Sequence, residues 1–195
     1  MSQVFVLCGL GNPGRDHSSS RHNLGFMLVD YLRNSLSFPD FVSNFSGFLC
    51  FGVTSSIKLY LFKPMTFMNN SGFPLARLVN FYKVHPCNVL VFHDDADLGF
   101  GRIKIKKGGS SGGHNGLKSI DSNLGRDYWR FRFGVGKEEN SNLAKYVLSS
   151  FTECEIGHLN KVFEFIAKNI ILLLSDIERQ KSTFLMDYMS VLNTI

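Results

Sequence analysis

The sequence predicts a single α/β domain with a twisted, mostly parallel mixed central sheet flanked by helices. Two observations carry that expectation. Short apolar runs alternate with segments of helical periodicity along the chain, and neither an internal repeat nor a linker divides its 195 residues. With 44% hydrophobic residues and 13% aromatics, the chain has ample material for one buried core. Residues 1–195 are therefore expected to form one unit that ends in a helical segment over 152–192.

Val4 to Cys8 is a short, nearly continuous apolar run closed by Gly9 and Gly11, as expected of a buried strand. Residues 9–22 form a polar Gly/Pro/Ser loop. Leu24, Met27, Leu28, Tyr31 and Leu32 then repeat at helical spacing, with Asn23 as the expected N-cap. Strands are expected near Gly47 to Val53 and Ile57 to Phe62, the second ended by Lys63-Pro64. Ser71 to Val84 reads as a helix with Leu75, Leu78, Val79 and Tyr82 inward and Pro74 in its first turn.

Asn88 to Phe92 is a further apolar strand that stops at His93-Asp94. Arg102-Ile103-Lys104-Ile105-Lys106 alternates charge with isoleucine and predicts a strand with one basic, exposed face. A glycine-serine loop follows from Gly108 to Gly113, then a short helix from Asn115 to Asn123. Trp129 to Val135, with Arg130 and Arg132 between aromatics, is a second basic strand. Thr152 and Glu155 make a capping-box pattern ahead of Ile156, Leu159, Phe163, Ile166, Ile170 and Leu173. Ligands of such sheets sit outside the carboxyl ends of the strands. Residues 9–14, His93-Asp94 and the loop from Gly108 each follow a predicted strand, so they are expected to converge there.

The net charge of +5 is unevenly spread. From Arg102 to Arg132, eight basic residues stand against Asp121 and Asp127, a local charge of +6, so the rest of the chain sums to −1. A basic stripe confined to one segment suits a polyanionic partner, because it can neutralise neighbouring phosphates and release their counterions. The segment Met1 to Cys8 has no basic n-region and too short an apolar run for a signal peptide. The longest later apolar run, Ile170 to Leu174, is far short of the ~20 residues that span a bilayer. A soluble, cytoplasmic protein without membrane attachment is expected. Cys8, Cys50, Cys87 and Cys154 form no C-x2-C pair and read as reduced, mostly buried thiols.

Two glycine motifs are decoys. Gly9-Leu10-Gly11-Asn12-Pro13-Gly14 matches G-x-G-x-x-G, with Asp30 at the spacing of a ribose-binding acid. A dinucleotide fingerprint needs the helix to begin within the glycines; here Pro13 and the loop from Arg15 to Arg21 intervene. Gly109-Ser110-Ser111-Gly112-Gly113 matches G-x-S-x-G but lies in a long loop rather than a strand-to-helix elbow, so Ser111 is not expected to be a nucleophile. His93, Asp94, Asp95 and Asp97 lack a partner cluster with ligand spacing, so no metal is expected.

What remains is a set of polar clusters beside strand ends, which together supply His, Asp and several Asn side chains suited to activating water. They are Arg21-His22-Asn23 with Gly25, Thr66-Phe67-Met68-Asn69 with Ser71-Gly72, His93-Asp94 with Asp97-Leu98, Lys106 with Gly108-Gly109, and Gly113-His114-Asn115-Gly116-Leu117. With Gly9 to Gly14 and Arg130-Phe131-Arg132-Phe133-Gly134-Val135-Gly136, they resemble the bacterial peptidyl-tRNA hydrolase family in order and spacing, from the first strand to about residue 150. Each piece is common; the ordered set is specific.

The resemblance implies a monomeric α/β hydrolase of the peptidyl-tRNA hydrolase type. It would cleave the ester joining a peptide to the 3'-terminal ribose of tRNA, with no cofactor and no metal, and peptidyl-tRNA would be its partner. His22 would be the general base that activates water, and Asp94 would orient it and stabilise its imidazolium. Asn12, Asn69 and Asn115 would position the peptide and the acceptor end, since an amide offers both donor and acceptor. Phe67 belongs to the same substrate-binding set, Met68 would floor the site and His114 would line it beside Asn115. Lys106 and Arg132 would grip the tRNA 5'-phosphate, a contact that reads no base and so suits an enzyme accepting many tRNAs.

Three positions depart from the family pattern. His17 stands where a Tyr is usual, in a substrate-binding position, and puts a second imidazole near His22. Asp95 stands where Glu is common, and Gly99 replaces a frequent Pro, loosening that turn. Beyond Phe151 the chain matches only in helical character and is expected to do no more than cover the cleft. Two other classes compete: a non-catalytic RNA-binding protein on the same fold, against which both His22 and Asp94 argue, and a nicotinamide-dependent oxidoreductase binding at Gly9 to Gly14.

Overall fold

The computed structural model describes residues 3–54, 57–137 and 142–192. Seven strands, β1 (Gln3–Gly9), β2 (Val42–Asn44), β3 (Gly47–Thr54), β4 (Ile57–Pro64), β5 (Val89–Asp95), β6 (Ile103–Lys107) and β7 (Trp129–Gly134), form one sheet in the order β2-β3-β4-β1-β5-β7-β6. The four central strands β4, β1, β5 and β7 run parallel, while β2, β3 and β6 add antiparallel edges. The helices are α1 (Leu24–Ser35), α2 (Gly72–Phe81), α3 (Asn115–Leu124), α4 (Leu143–Leu148), α5 (Glu153–Ser175) and α6 (Ile177–Leu192). None of the described helices is long and apolar enough to cross a membrane.

The near-continuous apolar run of β1 exists because both faces of the sheet are covered. Phe5 and Leu7 face one core with Leu28 of α1 and Phe163 and Ile166 of α5. Val6 and Cys8 face the other with Leu75, Leu78 and Val79 of α2 and Ile120 of α3. Strand β5 divides likewise, Leu90 and Phe92 to the first core and Val89 and Val91 to the second. Each fully buried Leu or Phe contributes about 1.5–3 kcal/mol relative to exposure.

One close approach sets the geometry of the site end. A Cβ on Gly25 would lie 2.4 Å from Leu10 N and 2.5 Å from the Phe92 carbonyl oxygen, so only glycine lets the first turn of α1 press against the ends of β1 and β5. That contact carries the preceding turn Arg21–Asn23 over the carboxyl end of β5.

Several expectations need correction. Asn23 makes no capping hydrogen bond to α1; its amide is spent on Asn12. Strand β5 runs through His93 and Asp94 to Asp95 instead of stopping before them. Helix α2 is shorter than expected, leaving Tyr82 half-buried after its end. Strand β2 and helix α4 gave no sequence signal. Cys8 and Cys50 are buried, whereas Cys87 is half-buried and Cys154 exposed. The glycine motif serves packing: a Cβ on Gly11 would strike the Phe26 ring at 2.6 Å, and α1 starts only at Leu24. Asp30, the would-be ribose ligand, pairs with Lys63.

The loop from Gly108 reaches the site by a longer route than the strand order implies. Because β6 is antiparallel to β7, with Lys107 opposite Trp129, residues 108–114 leave the sheet at the amino end of the parallel strands. They travel back to the carboxyl end along the second face, and the Arg130 guanidinium bonds the Ser110 carbonyl at 2.7 Å to hold that return path.

Candidate active site

At the carboxyl end of the parallel strands lies a cleft of ≈ 740 Å³, within the size range of sites for small organic ligands. Asn12, His22, Phe67, Met68, Asn69, Asp94, Lys106, His114, Asn115 and Arg132 all line it. His17 does not: its 3-10 turn Arg15–His17 holds it away, with Ser20 donating to its carbonyl at 2.8 Å. The second imidazole near His22 is that of His114, with ring centroids 4.9 Å apart.

Asp94 is the hub. Its carboxylate lies 2.9 and 3.0 Å from His22 Nδ1 and 3.1 Å from His114 Nε2. Burial opposes ionisation of this 3%-exposed carboxyl, but the His114 and His22 contacts outweigh it and hold Asp94 well below the usual carboxylate range. An ionised Asp94 only accepts, so both imidazoles donate to it. For His22 that puts the proton on Nδ1 and leaves the Nε2 lone pair for the cleft.

His114 is fixed from both sides. Its Nδ1 accepts the backbone N–H groups of Gly116 and Leu117 at 3.1 and 3.4 Å, capping α3, so its proton sits on Nε2, facing Asp94. With both nitrogens committed within the protein, His114 supports the carboxylate and offers the cleft only its ring. His93 is neutral as well: burial first, then the neighbouring His114, pushes it down to about 3. Its Nδ1–H donates to the Asp94 carbonyl at 2.7 Å.

His22, Asp94 and His114 bring one ligand-type atom each within 4.8 Å of one another, the one such group among the described residues. Of the run His93, Asp94, Asp95 and Asp97, only Asp94 belongs to it. A metal would need the Nε2 lone pair of His114, forcing that proton onto Nδ1 against two backbone donors. The trio is built for hydrogen bonding and does not suit a metal.

Three further supports have no assigned role at the site in the sequence reading, which sets Arg21 and Asn23 there only as neighbours of His22. Arg21, 6% exposed, forks onto Glu155 at 2.7 and 3.0 Å and lies between the rings of Tyr146 and Phe151, tying the His22 turn to the start of α5. Leu143, Ala144, Val147 and Leu148 of α4 form an apolar wall of the cleft. The covering element is thus α4; among the described residues none beyond Phe151 lines the cleft. Asn23 is the third, through the Asn12 backbone.

The basic stripe is partly neutralised. Arg130 pairs with Asp121 at 2.7 Å, Lys107 with Asp127 at 2.9 Å and Arg126 with Asp121 at 3.5 Å. Arg132 gives its Nε to Asp95 at 2.7 Å. Arg102, Lys104, Lys106 and Lys118 stay exposed. Lys104 pairs in register with Arg132 and Lys106 with Arg130. Lys106 and Arg132 are therefore diagonal neighbours on one face, about 7–8 Å apart, and both line the cleft.

Comparison with known proteins gives a consistent result. A family model described as peptidyl-tRNA hydrolase matches residues 6–190. The chain is 62% identical over 186 residues to a peptidyl-tRNA hydrolase of Neorickettsia sennetsu, covering 95% of each chain. It is 50% identical over 172 residues to one from Wolbachia pipientis wMel, covering 88% of this chain and 93% of that one. A crystal structure of peptidyl-tRNA hydrolase from Acinetobacter baumannii superposes with a TM-score of 0.86 at 29% identity, covering 96% and 95% of the two chains.

Proposed function

The chain belongs to the peptidyl-tRNA hydrolase family, and on that premise we propose how its residues carry out the hydrolysis of peptidyl-tRNA. The reaction splits the ester between the peptide and the 3'-terminal ribose. The observation that carries the mechanism is the His22 Nδ1–Asp94 contact, which turns the basic nitrogen of His22 towards the cleft.

His22 Nε2 takes a proton from water as the oxygen attacks the ester carbonyl, and Asp94 stabilises the imidazolium. The oxyanion of the tetrahedral intermediate needs a donor in a fixed place. Asn12 Oδ1 accepts the Met68 N–H at 2.8 Å, so the amide can only turn its NH2 to the substrate. As the intermediate collapses, the ribose oxygen leaves and recovers the proton from His22. Asn69 and Asn115, both exposed on the cleft wall, hold the acceptor end and the peptide, Phe67 offers a ring for stacking, and the α4 wall with Met68 takes apolar peptide side chains. Neither a metal nor a second copy of the chain takes part.

The assay is hydrolysis of an N-acylated aminoacyl-tRNA by the purified chain in a strong chelator. Turnover unchanged by the chelator is expected; its loss, restored by a divalent metal, would refute the metal-free mechanism. No turnover under either condition would favour the RNA-binding reading.

Lys106 and Arg132 grip the tRNA 5'-phosphate. Replacing either with Ala should weaken tRNA binding and reduce the salt dependence by about 0.7–0.9 of logarithmic slope per phosphate contact. A short substrate carrying only the terminal nucleotides lacks that phosphate and should be cleaved at a nearly unchanged rate. Equal losses on both substrates would instead assign the two residues to supporting the cleft.

A further inference from the structure

Asn23 follows His22 in the turn Arg21–Asn23 and is 2% exposed. Its carboxamide closes on one residue: Oδ1 accepts the Asn12 N–H at 2.8 Å and Nδ2 donates to the Asn12 carbonyl at 2.9 Å. Ser20 Oγ adds a weaker bond to the same Oδ1 at 3.4 Å. An amide that pairs with both the N–H and the C=O of a residue fixes its two flanking peptide planes, as a neighbouring strand would. Asn12 sits just past the end of β1, where no strand provides that service.

The Asn12 side chain is then held at both ends, its backbone by Asn23 and its Oδ1 by the Met68 N–H. We propose that Asn23 is a positioning residue for the hydrolysis, holding the Asn12 NH2 in register with the His22 ring. Both depend on one turn: the base is the residue before the clasp, and the carbonyl-polarising amide is the residue clasped. The gap between the base and the donor is thereby set within one rigid unit. A shift of about 1 Å in such a gap can cost roughly 100-fold in rate. The inference rests on the reading that Asn12 donates to the substrate carbonyl.

A double-mutant cycle tests it on the full chain with peptidyl-tRNA, with melting temperature measured alongside. Asn12→Ala should lower kcat by roughly 100-fold or more. Asn23→Ala should lower kcat by roughly 10- to 100-fold, with KM changed by less than about threefold. The double variant should be within about threefold of Asn12→Ala alone, because Asn23 acts through a group already gone. Combined with Lys106→Ala, by contrast, the Asn23→Ala loss should multiply in full. Asn23→Ser, whose hydroxyl and a water can fill the space, replaces Asn23→Ala if that variant does not fold.

A merely structural role would lower activity equally in every background. An Asn23 loss that multiplies with Asn12→Ala as it does with Lys106→Ala overturns the proposal, as does near wild-type kcat in the Asn23 variant. A harmless Asn12→Ala overturns the reading of Asn12 beneath it, and is told apart because it needs no Asn23 variant.

Discussion

His22→Ala is expected to lower kcat/KM on peptidyl-tRNA by roughly 100- to 10,000-fold, the usual contribution of a positioned general base, with the melting temperature little changed. The ring is half-buried at the cleft, in contact with Asp94 and the His114 face rather than with either apolar core, so its removal takes little packing with it. The loss should fall on kcat, since His22 touches water and the reacting carbonyl while tRNA is held elsewhere. The acid limb of the wild-type pH–rate profile, where the base is protonated, should disappear in the variant. Asp94 and His93 cannot supply that limb: the first is held ionised below the usual carboxylate range and the second is held neutral down to about 3. Turnover near wild type, or an acid limb that survives, would assign the base to another group.

Strands β1 and β5 were legible as short apolar runs whose double-sided burial is written into near-continuous Val, Leu and Phe, and β6 and β7 by the alternation of basic residues with Ile or aromatics. Likewise the Thr152–Glu155 capping box fixed the start of α5. Local signals failed where tertiary geometry took over. Asn is a favoured N-cap, yet Asn23 gives its amide to a residue eleven positions earlier, a partner no local pattern can name. Helix α4 spans six residues, less than two turns, too short for a period to emerge.

Charge counting had a similar limit. Eight basic residues made the stripe visible, but sequence does not reveal that Arg132 finds Asp95 on the neighbouring strand or that Arg130 is buried against Asp121. The residues of the site could be singled out only through the ordered resemblance, because His22, Asp94 and His114 lie on three separate elements. Which nitrogen of each ring carries the proton depends on backbone donors and on an ionised carboxylate, facts of the folded chain alone.

Asp94→Asn should be nearly as damaging as loss of the base, by roughly 1,000- to 10,000-fold in kcat, the scale seen when the carboxylate behind a catalytic imidazole becomes an amide. The substitution conserves shape, so the fold should persist. The amide oxygen can still accept the His114 Nε2–H, whose tautomer is fixed by the α3 N–H groups. The amide NH2 then replaces Oδ2, 3.0 Å from His22 Nδ1, and competes with the oxygen for that nitrogen, favouring Nδ1 as an acceptor with the His22 proton on Nε2. The base then points a hydrogen at the water instead of a lone pair, and no negative charge remains to stabilise an imidazolium. Wild-type Asp94 is held below the usual carboxylate range, so its contribution to stability is complete above that range and lost only as pH falls through the depressed value. Near pH ~4, where an ordinary carboxyl is about half protonated, Asp94 stays charged, and the deficit should therefore persist at every pH where wild-type turnover can be measured. Asp94→Ala is the less informative change, because it leaves the donors of both His22 and His114 without an acceptor and mixes a folding defect with the chemical one. A kcat for Asp94→Asn within about tenfold of wild type would mean that His22 does not depend on this carboxylate for its tautomer.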